Sequence, residues 1–263
     1  MSWLRPLGNT GLKVSAIGLG TVKLGRNREV KYPGSYSLPD DRSAAALLAQ
    51  ARELGINLID TAPAYGSSEE RLGKLLAGQR QHWLICSKVG EEFEQGNSRF
   101  DFSAQHIRNS VQRSLRRLNT DTIDILLLHS DGNDLQIIEQ TDALATLAQL
   151  KSEGLIRSYG MSTKTVAGGL AAARKCDVVM LTYNPAQREE LAVLECCKKT
   201  HCGALVKKTL ASGHLVTADS GADPVQASMD LVLGHPATSA AIVGTITPAH
   251  LLANVAAARR AIG

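Results

Sequence analysis

Aromatic residues are scarce in this chain of 263: three Phe, five Tyr and two Trp make up 4% of it. Long apolar runs are missing too, since no stretch approaches the roughly 20 residues that a membrane-spanning helix needs. Met1 to Leu24 lacks the basic start, apolar centre and small-residue cleavage site of a secretory signal. A cytoplasmic chain without a membrane partner is expected. Charge of one sign is not in excess either. The net value is +4, with Lys and Arg scattered rather than gathered into an arm or stripe, which argues against a nucleic-acid partner.

The five cysteines are odd in number and irregularly spaced, so reduced thiols are the expectation. Cys196, Cys197, His201 and Cys202 fall together in "ECCKKTHCG" but lack the paired CxxC spacing that lets four ligands converge on a metal. No metal site is expected, and the run reads as a helix ending at Cys202-Gly203. No Pro-rich or Gly/Ser-rich linker divides the chain, which predicts one domain over 1–263.

What is present is alternation. Near-continuous apolar or β-branched runs mark strands buried on both faces at 14–21, 56–60, 83–89, 123–130, 156–162, 178–184, 204–210 and 240–245. Between them lie stretches with apolar residues three and four apart, such as 40–55, 103–119 and 139–154. Ser103 suits a helix start, while Gly55, Asn119 and Gly154 suit left-handed helix ends. Eight such units have the dimensions of an α/β (β/α)8 TIM barrel. A doubly wound open sheet is the alternative, but Gly18 and Gly20 have no third glycine at the spacing of a dinucleotide fingerprint. "RPLGNTGLKV" reads as an N-terminal β-hairpin turning at Asn9-Thr10-Gly11 and able to plug the barrel floor.

In such a barrel the C-terminal strand ends carry the chemistry. Asp60 ends the second strand, Tyr65 follows in a short loop, Lys88 nears the end of the third strand and His129 ends the fourth. A lysine and an aspartate in apolar runs are each expensive to bury alone, so Asp60 and Lys88 are expected to pair. Lys88 beside Tyr65 would lower the phenol's pKa, and His129 would donate to a carbonyl oxygen. Together these groups would protonate a ketone or aldehyde oxygen as hydride reaches the carbon. Singly, each has a plainer reading: a loop cap, a surface aromatic, a satisfied core histidine.

"GINLIDTAPAYGSSEERLG", "SKVG", "SLRRLNTDTIDILLLHS" and "LIRSYGMS" resemble the aldo-keto reductase family, from "RPLGNTGLKVSAIGLGT" to "IVGTITPAHLLANV". The resemblance implies a barrel binding NADPH, with NADH possible, and a small-molecule carbonyl substrate. It makes Tyr65 the general acid, tuned by Lys88 and Asp60, with His129 positioning the carbonyl. Its implied cofactor residues are Gly20, Thr21, Asp60, Ser162, Thr163, Lys207, Leu210, Ser212, Gly244, Thr245, His250 and Asn254. Departures from the pattern are specific: Val22 stands for a tryptophan, Ser162-Thr163 for Ser-Asn, Met180 for a glutamine, and Lys207 for the aromatic that stacks on nicotinamide. His250 is the cation offered to a 2'-phosphate, and only when protonated.

Relatives are often about 60 residues longer against the usual barrel range. This predicts short connections after the fourth and seventh strands, no C-terminal flap and an open, shallow pocket. The loop 25–41, with Lys31, Tyr32, Tyr36 and two prolines, either borders that pocket or is a solvated surface loop. A monomer or small homo-oligomer is expected. A nicotinamide-binding regulatory or sensor subunit with little turnover is the second reading, and a nicotinamide-free barrel isomerase the third.

Overall fold

The computed structural model describes residues 2–30, 32, 34–213 and 223–263; Lys31, Pro33 and part of the connection after the seventh strand lie outside the described residues. An antiparallel hairpin comes first, β1 (Leu4–Pro6) with β2 (Lys13–Ser15). The barrel begins with β3 (Ile17–Gly20), β4 (Leu58–Asp60) and β5 (Leu84–Val89). A second hairpin, β6 (Glu91–Glu94) and β7 (Asn97–Phe100), intervenes. Then come β8 (Ile123–His129), β9 (Ile156–Ser162), β10 (Val178–Thr182), β11 (Gly203–Lys207) and β12 (Thr238–Val243). Among the described residues, the eight strands outside the hairpins pair in parallel around a closed ring, with β12 returning to β3 through Ala241↔Ile17. The (β/α)8 TIM barrel with an N-terminal hairpin is therefore the fold observed.

Helices cover the outside: α1 (Val22–Gly25), α2 (Asp41–Glu53), α3 (Ser68–Leu75), α4 (Ala104–Leu118), α5 (Asp134–Gln140), α6 (Ala143–Ser152), α7 (Val166–Lys175), α8 (Leu191–Thr200), α9 (Pro224–Gly234) and α10 (Pro248–Ile262). Their ends follow local chemistry. Asp40 accepts from the Ser43 amide at 2.7 Å to start α2, and Ser103 accepts from the His106 amide at 3.3 Å to start α4. Gly55, Asn119 and Gly154 take φ of 83°, 51° and 78° where helices stop.

Side chains on a strand alternate, and the barrel sorts them into two cores. One set faces the helices. The other fills the barrel, where Leu58, Cys86, Ile125, Leu127, Met180 and Leu205 cluster with Leu7, Leu12 and Val14 of the first hairpin. The hairpin thus plugs the floor as expected, and burying a side chain such as Leu7 contributes about 1.5–3 kcal/mol. Its docking needs Gly8: φ is 53°, and a Cβ there would stand 2.4 Å from the Gly203 amide nitrogen.

Two expectations are corrected, and one hairpin is added. The stretch 139–154 is two helices, because Thr141 leaves the helical region and turns its hydroxyl to the Ile137 carbonyl at 2.7 Å, while accepting from the Ala143 amide at 3.2 Å. The cysteine-bearing helix ends at Thr200, with His201 at φ 56°, and Gly203 already belongs to β11. The β6–β7 hairpin was not anticipated, although Gln95 and Gly96 carry the paired positive φ values, 51° and 87°, of a tight turn.

Candidate active site

The alternation that fills the barrel with aliphatic side chains also aims its upper polar residues inward. Asp60 is two residues beyond Leu58, Lys88 two beyond Cys86, His129 two beyond Leu127 and Lys207 two beyond Leu205, each predecessor belonging to the inner cluster. All four sit at C-terminal strand ends, joined by Ser162, which is paired with His129 in the β8–β9 register. Two depressions at the opposite end, around Gln81, Trp83 and Arg157, hold no comparable set of groups.

Lys88 and Asp60 form the pair that burial demands. The ammonium donates to Asp60 Oδ1 at 2.6 Å and to the Thr61 carbonyl at 2.9 Å, with both side chains almost fully buried. Tyr65 ends a short 3-10 turn, Pro63–Tyr65, and its ring centroid lies 4.6 Å from Lys88 Nζ. That turn is locked to α1 by close backbone approach: a Cβ on Gly66, where φ is 62°, would stand 2.2 Å from the Gly25 carbonyl oxygen.

The expected lowering of the Tyr65 pKa is not found. Burial, with the negative charge of Asp60 behind it, pushes the phenol well above its ordinary value and outweighs the pull of Lys88. The main reason is exclusion of water from the buried phenol, and the ion pair adds to it. Asp60 neutralises Lys88 at 2.6 Å, so the phenol faces a pair rather than a lone cation. The lysine stays an ammonium, since Asp60 overcomes the burial that would discharge it.

His129 lies edge-on to Tyr65, with ring centroids 6.3 Å apart. Its Nδ1 is 2.7 Å from Oε2 of Glu91, at the start of β6. Glu91 is the group missed with its hairpin. The one sequence signal was the turn at Gln95-Gly96, since "EEFE" and "NSRF" carry a single apolar residue each. Burial lowers the imidazolium's pKa, and Glu91 pulls it partly back. On Glu91 burial opposes ionisation, but His129, Ser98 and Arg26 together outweigh it and hold the carboxyl at about 2.

On the other side of the mouth, Lys207 Nζ donates to Ser162 Oγ at 2.9 Å and to the Thr163 carbonyl at 2.6 Å. Burial lowers its pKa to about 7, against the attraction of Glu190. Glu190 is a second residue not anticipated. It is buried, accepts from the Thr182 amide at 3.2 Å and leaves Oε2 without a partner. Thr163, Thr245 and Asn254 are buried, whereas His250 is exposed on the first turn of α10. Thr245 Oγ accepts from the Thr247 amide at 3.0 Å. Thr21 is spent on structure, since its hydroxyl donates to the Asp60 carbonyl at 2.8 Å and accepts from Ser68 Oγ at 2.8 Å.

These residues fit a nicotinamide dinucleotide in three respects. The buried Thr163 hydroxyl has no partner. The turn holding Leu210 includes Lys208, Ala211 and Ser212 at φ of 54°, 44° and 57°, a non-glycine strain of the kind kept at ligand sites. The first amides of α10 have no side-chain cap at Thr247, which suits an anion. Gly20 and Gly244 adjoin, and a Cβ on Gly244 would be 3.1 Å from the Tyr32 hydroxyl. Tyr32 and Tyr36 therefore belong to packed structure rather than a solvated loop: they meet edge to face at 5.8 Å, with Lys23 Nζ 4.1 Å from the Tyr32 centroid. Among the described residues, no cluster of His, Cys, Asp and Glu is arranged to hold a metal.

Known proteins share this architecture. A crystal structure described as an aldo-keto reductase of Pseudomonas aeruginosa is 57% identical at a TM-score of 0.90, covering 99% of this chain and 95% of that one. The holo form of an aldo-keto reductase from Bacillus halodurans is 26% identical at a TM-score of 0.83, covering 100% of this chain and 95% of that one. L-galactose dehydrogenase of Arabidopsis thaliana is 39% identical over 60% of this chain and 48% of its own length. NADH-specific methylglyoxal reductase of Escherichia coli is 34% identical over 59% of this chain and 50% of its own. The matched region spans about half the length of these two curated relatives. With the family model for the aldo/keto reductases matching residues 16–230, the chain belongs to the aldo/keto reductase family.

Proposed function

We propose that this chain reduces an aldehyde or ketone of small size to the alcohol, with a nicotinamide dinucleotide as hydride source and Tyr65 as proton donor. The observation that carries the reading is the convergence of Tyr65 with Lys88 at 4.6 Å and with His129 at 6.3 Å, ring centroids taken, above a buried Lys88–Asp60 pair. A bound nicotinamide dinucleotide would supply the hydride. Tyr65 gives its proton to the substrate oxygen as the C–H bond forms, and the resulting phenolate is met by the Lys88 ammonium. Because burial raises the phenol's pKa, the acid stays fully loaded at neutral pH. His129 directs the substrate oxygen toward Tyr65.

Ser162, Thr163 and Lys207 would hold the nicotinamide end, and the segments with Leu210, Ser212, Gly244, Thr245, His250 and Asn254 the rest. NADPH is the proposed cofactor with NADH accepted, because His250 is exposed and is a weaker clamp for a 2'-phosphate than an arginine. A cytoplasmic, single-domain monomer or small homo-oligomer, without nucleic-acid or membrane partner, completes the proposal. The relatives named above are dehydrogenases and reductases, and none is named for regulation.

The test is consumption of NADPH and of NADH across a panel of carbonyl compounds by wild type and Tyr65→Phe. Removing the acid is expected to slow the chemical step by about a hundredfold to ten-thousandfold. A variant that keeps the full rate of that step would remove Tyr65 from the role.

A further inference from the structure

Two lysines point into the barrel mouth, and their surroundings differ in kind. Lys88 has a carboxylate at 2.6 Å, and Asp60 keeps it an ammonium. Lys207, at the end of β11, is hydrogen-bonded to neutral oxygens, Ser162 Oγ at 2.9 Å and the Thr163 carbonyl at 2.6 Å. Among the described residues no carboxylate is in ion-pair contact with it. Glu190 attracts it without touching it: one carboxylate oxygen accepts from the Thr182 amide, and the other has no partner. The Lys207 side chain is only half-buried, so a small molecule in the mouth can reach Nζ.

An ammonium has three N–H donors and no lone pair, whereas a neutral amine has two donors and one lone pair. Ser162 and Thr163 take up two donors. They satisfy the neutral amine and leave its lone pair unspent, while the third hydrogen of the ammonium finds no partner among the described residues. Burial, with Lys208 and Lys88 adding to it, brings the pKa down to about 7 against the attraction of Glu190 and Asp134. His129 faces Lys207 from β8 and is itself held back from protonation by it. A desolvated amine beside other cations is the setting in which lysine attacks carbonyl carbon. We propose that Lys207 is a nucleophilic amine that captures an aldehyde as an imine whenever no dinucleotide covers it.

The choice of an aldehyde rests on the carbonyl-reductase reading; the reactivity of the amine does not. The Nζ lone pair forms a bond to the carbonyl carbon while the electrons of the C=O double bond move to oxygen. Both amine hydrogens then leave with that oxygen as water, and a C=N bond remains. No oxidant or reductant is consumed, and water reverses the step. A dinucleotide whose nicotinamide end is held by Ser162, Thr163 and Lys207 covers the amine, so capture and cofactor binding exclude each other. Aldehyde in excess over the dinucleotide therefore holds back its own reduction.

The test treats the full chain with propionaldehyde and picoline borane, which reduces an imine to a stable secondary amine, and locates the adducts by mass spectrometry across a pH series. At neutral pH Lys207 should be labelled on the order of tenfold faster than exposed lysines, whose ordinary pKa of about 10.4 leaves them almost wholly protonated. Its rate should level off above about 7 while theirs keeps rising. Labelling of Lys207 that climbs in parallel with the exposed lysines, or none at Lys207, overturns the proposal. NADP+, at a concentration that saturates the change in protein fluorescence, should suppress labelling at Lys207 alone, and labelling left unchanged there overturns the exclusion. The labelling rates are read without turnover. A chain that labels Lys207 but reduces no carbonyl upholds the amine and removes the reductase reading, and the reverse result does the opposite.

Discussion

The two sides of the barrel mouth are built on different principles. On one side Asp60, Lys88 and His129 stand on the adjacent strands β4, β5 and β8, and their side chains are held by strong partners within the rim. On the other, Ser162, Lys207 and Gly244 lead into turns and a helix N-terminus, where backbone conformation matters as much as side-chain identity. The first side tolerates little change, because a buried charge without its partner is expensive. The second leaves room for departures such as Lys207 in place of an aromatic, and there a distinct cofactor preference can arise.

Lys88→Met is expected to break the first side most severely. It leaves Asp60 buried and uncompensated, at about 3–5 kcal/mol of folding free energy, read from urea unfolding. Adding Asp60→Asn should restore most of that loss; a single variant as stable as wild type would show that the pair is not what holds the rim together. Lys207→Met probes the second side. As pH falls through about 7, Lys207 gains charge, so binding of the oxidised, cationic dinucleotide should weaken relative to the reduced one by on the order of tenfold. The inflection should vanish in the variant, and its persistence there would assign the titration to another group. His250→Arg is the smallest change, since an exposed charge near a helix end is worth about 0.3–1 kcal/mol. It should raise the NADPH-to-NADH affinity ratio about twofold to fivefold in fluorescence titrations, and an unchanged ratio would place the 2'-phosphate elsewhere.

Much of the first side was legible before any coordinates. Asp60, Lys88 and His129 end apolar runs, and period-two alternation is enough to place them inward once the barrel is recognised. Glu91 was not legible because a four-residue strand of "EEFE" has too little apolar content to announce itself, and its value depends on a histidine 38 positions away. The direction of the Tyr65 shift was misjudged for a related reason. Adjacency to a lysine can be read from sequence, but whether that lysine is already neutralised, and how little water reaches the phenol, are questions of packing.

The sequence by itself determined the alternation of elements, the parity that sends four polar side chains into one rim, and the helix ends at Gly55, Asn119 and Gly154, since each follows from local periodicity or backbone preference. Tertiary structure alone decided the rest. It brought Glu91 onto His129 and Lys207 onto Ser162, and placed Thr21 in a buried network with Asp60 and Ser68. Those outcomes depend on which distant groups compete for the same buried hydrogen bond or charge, and that competition exists only once the barrel has closed.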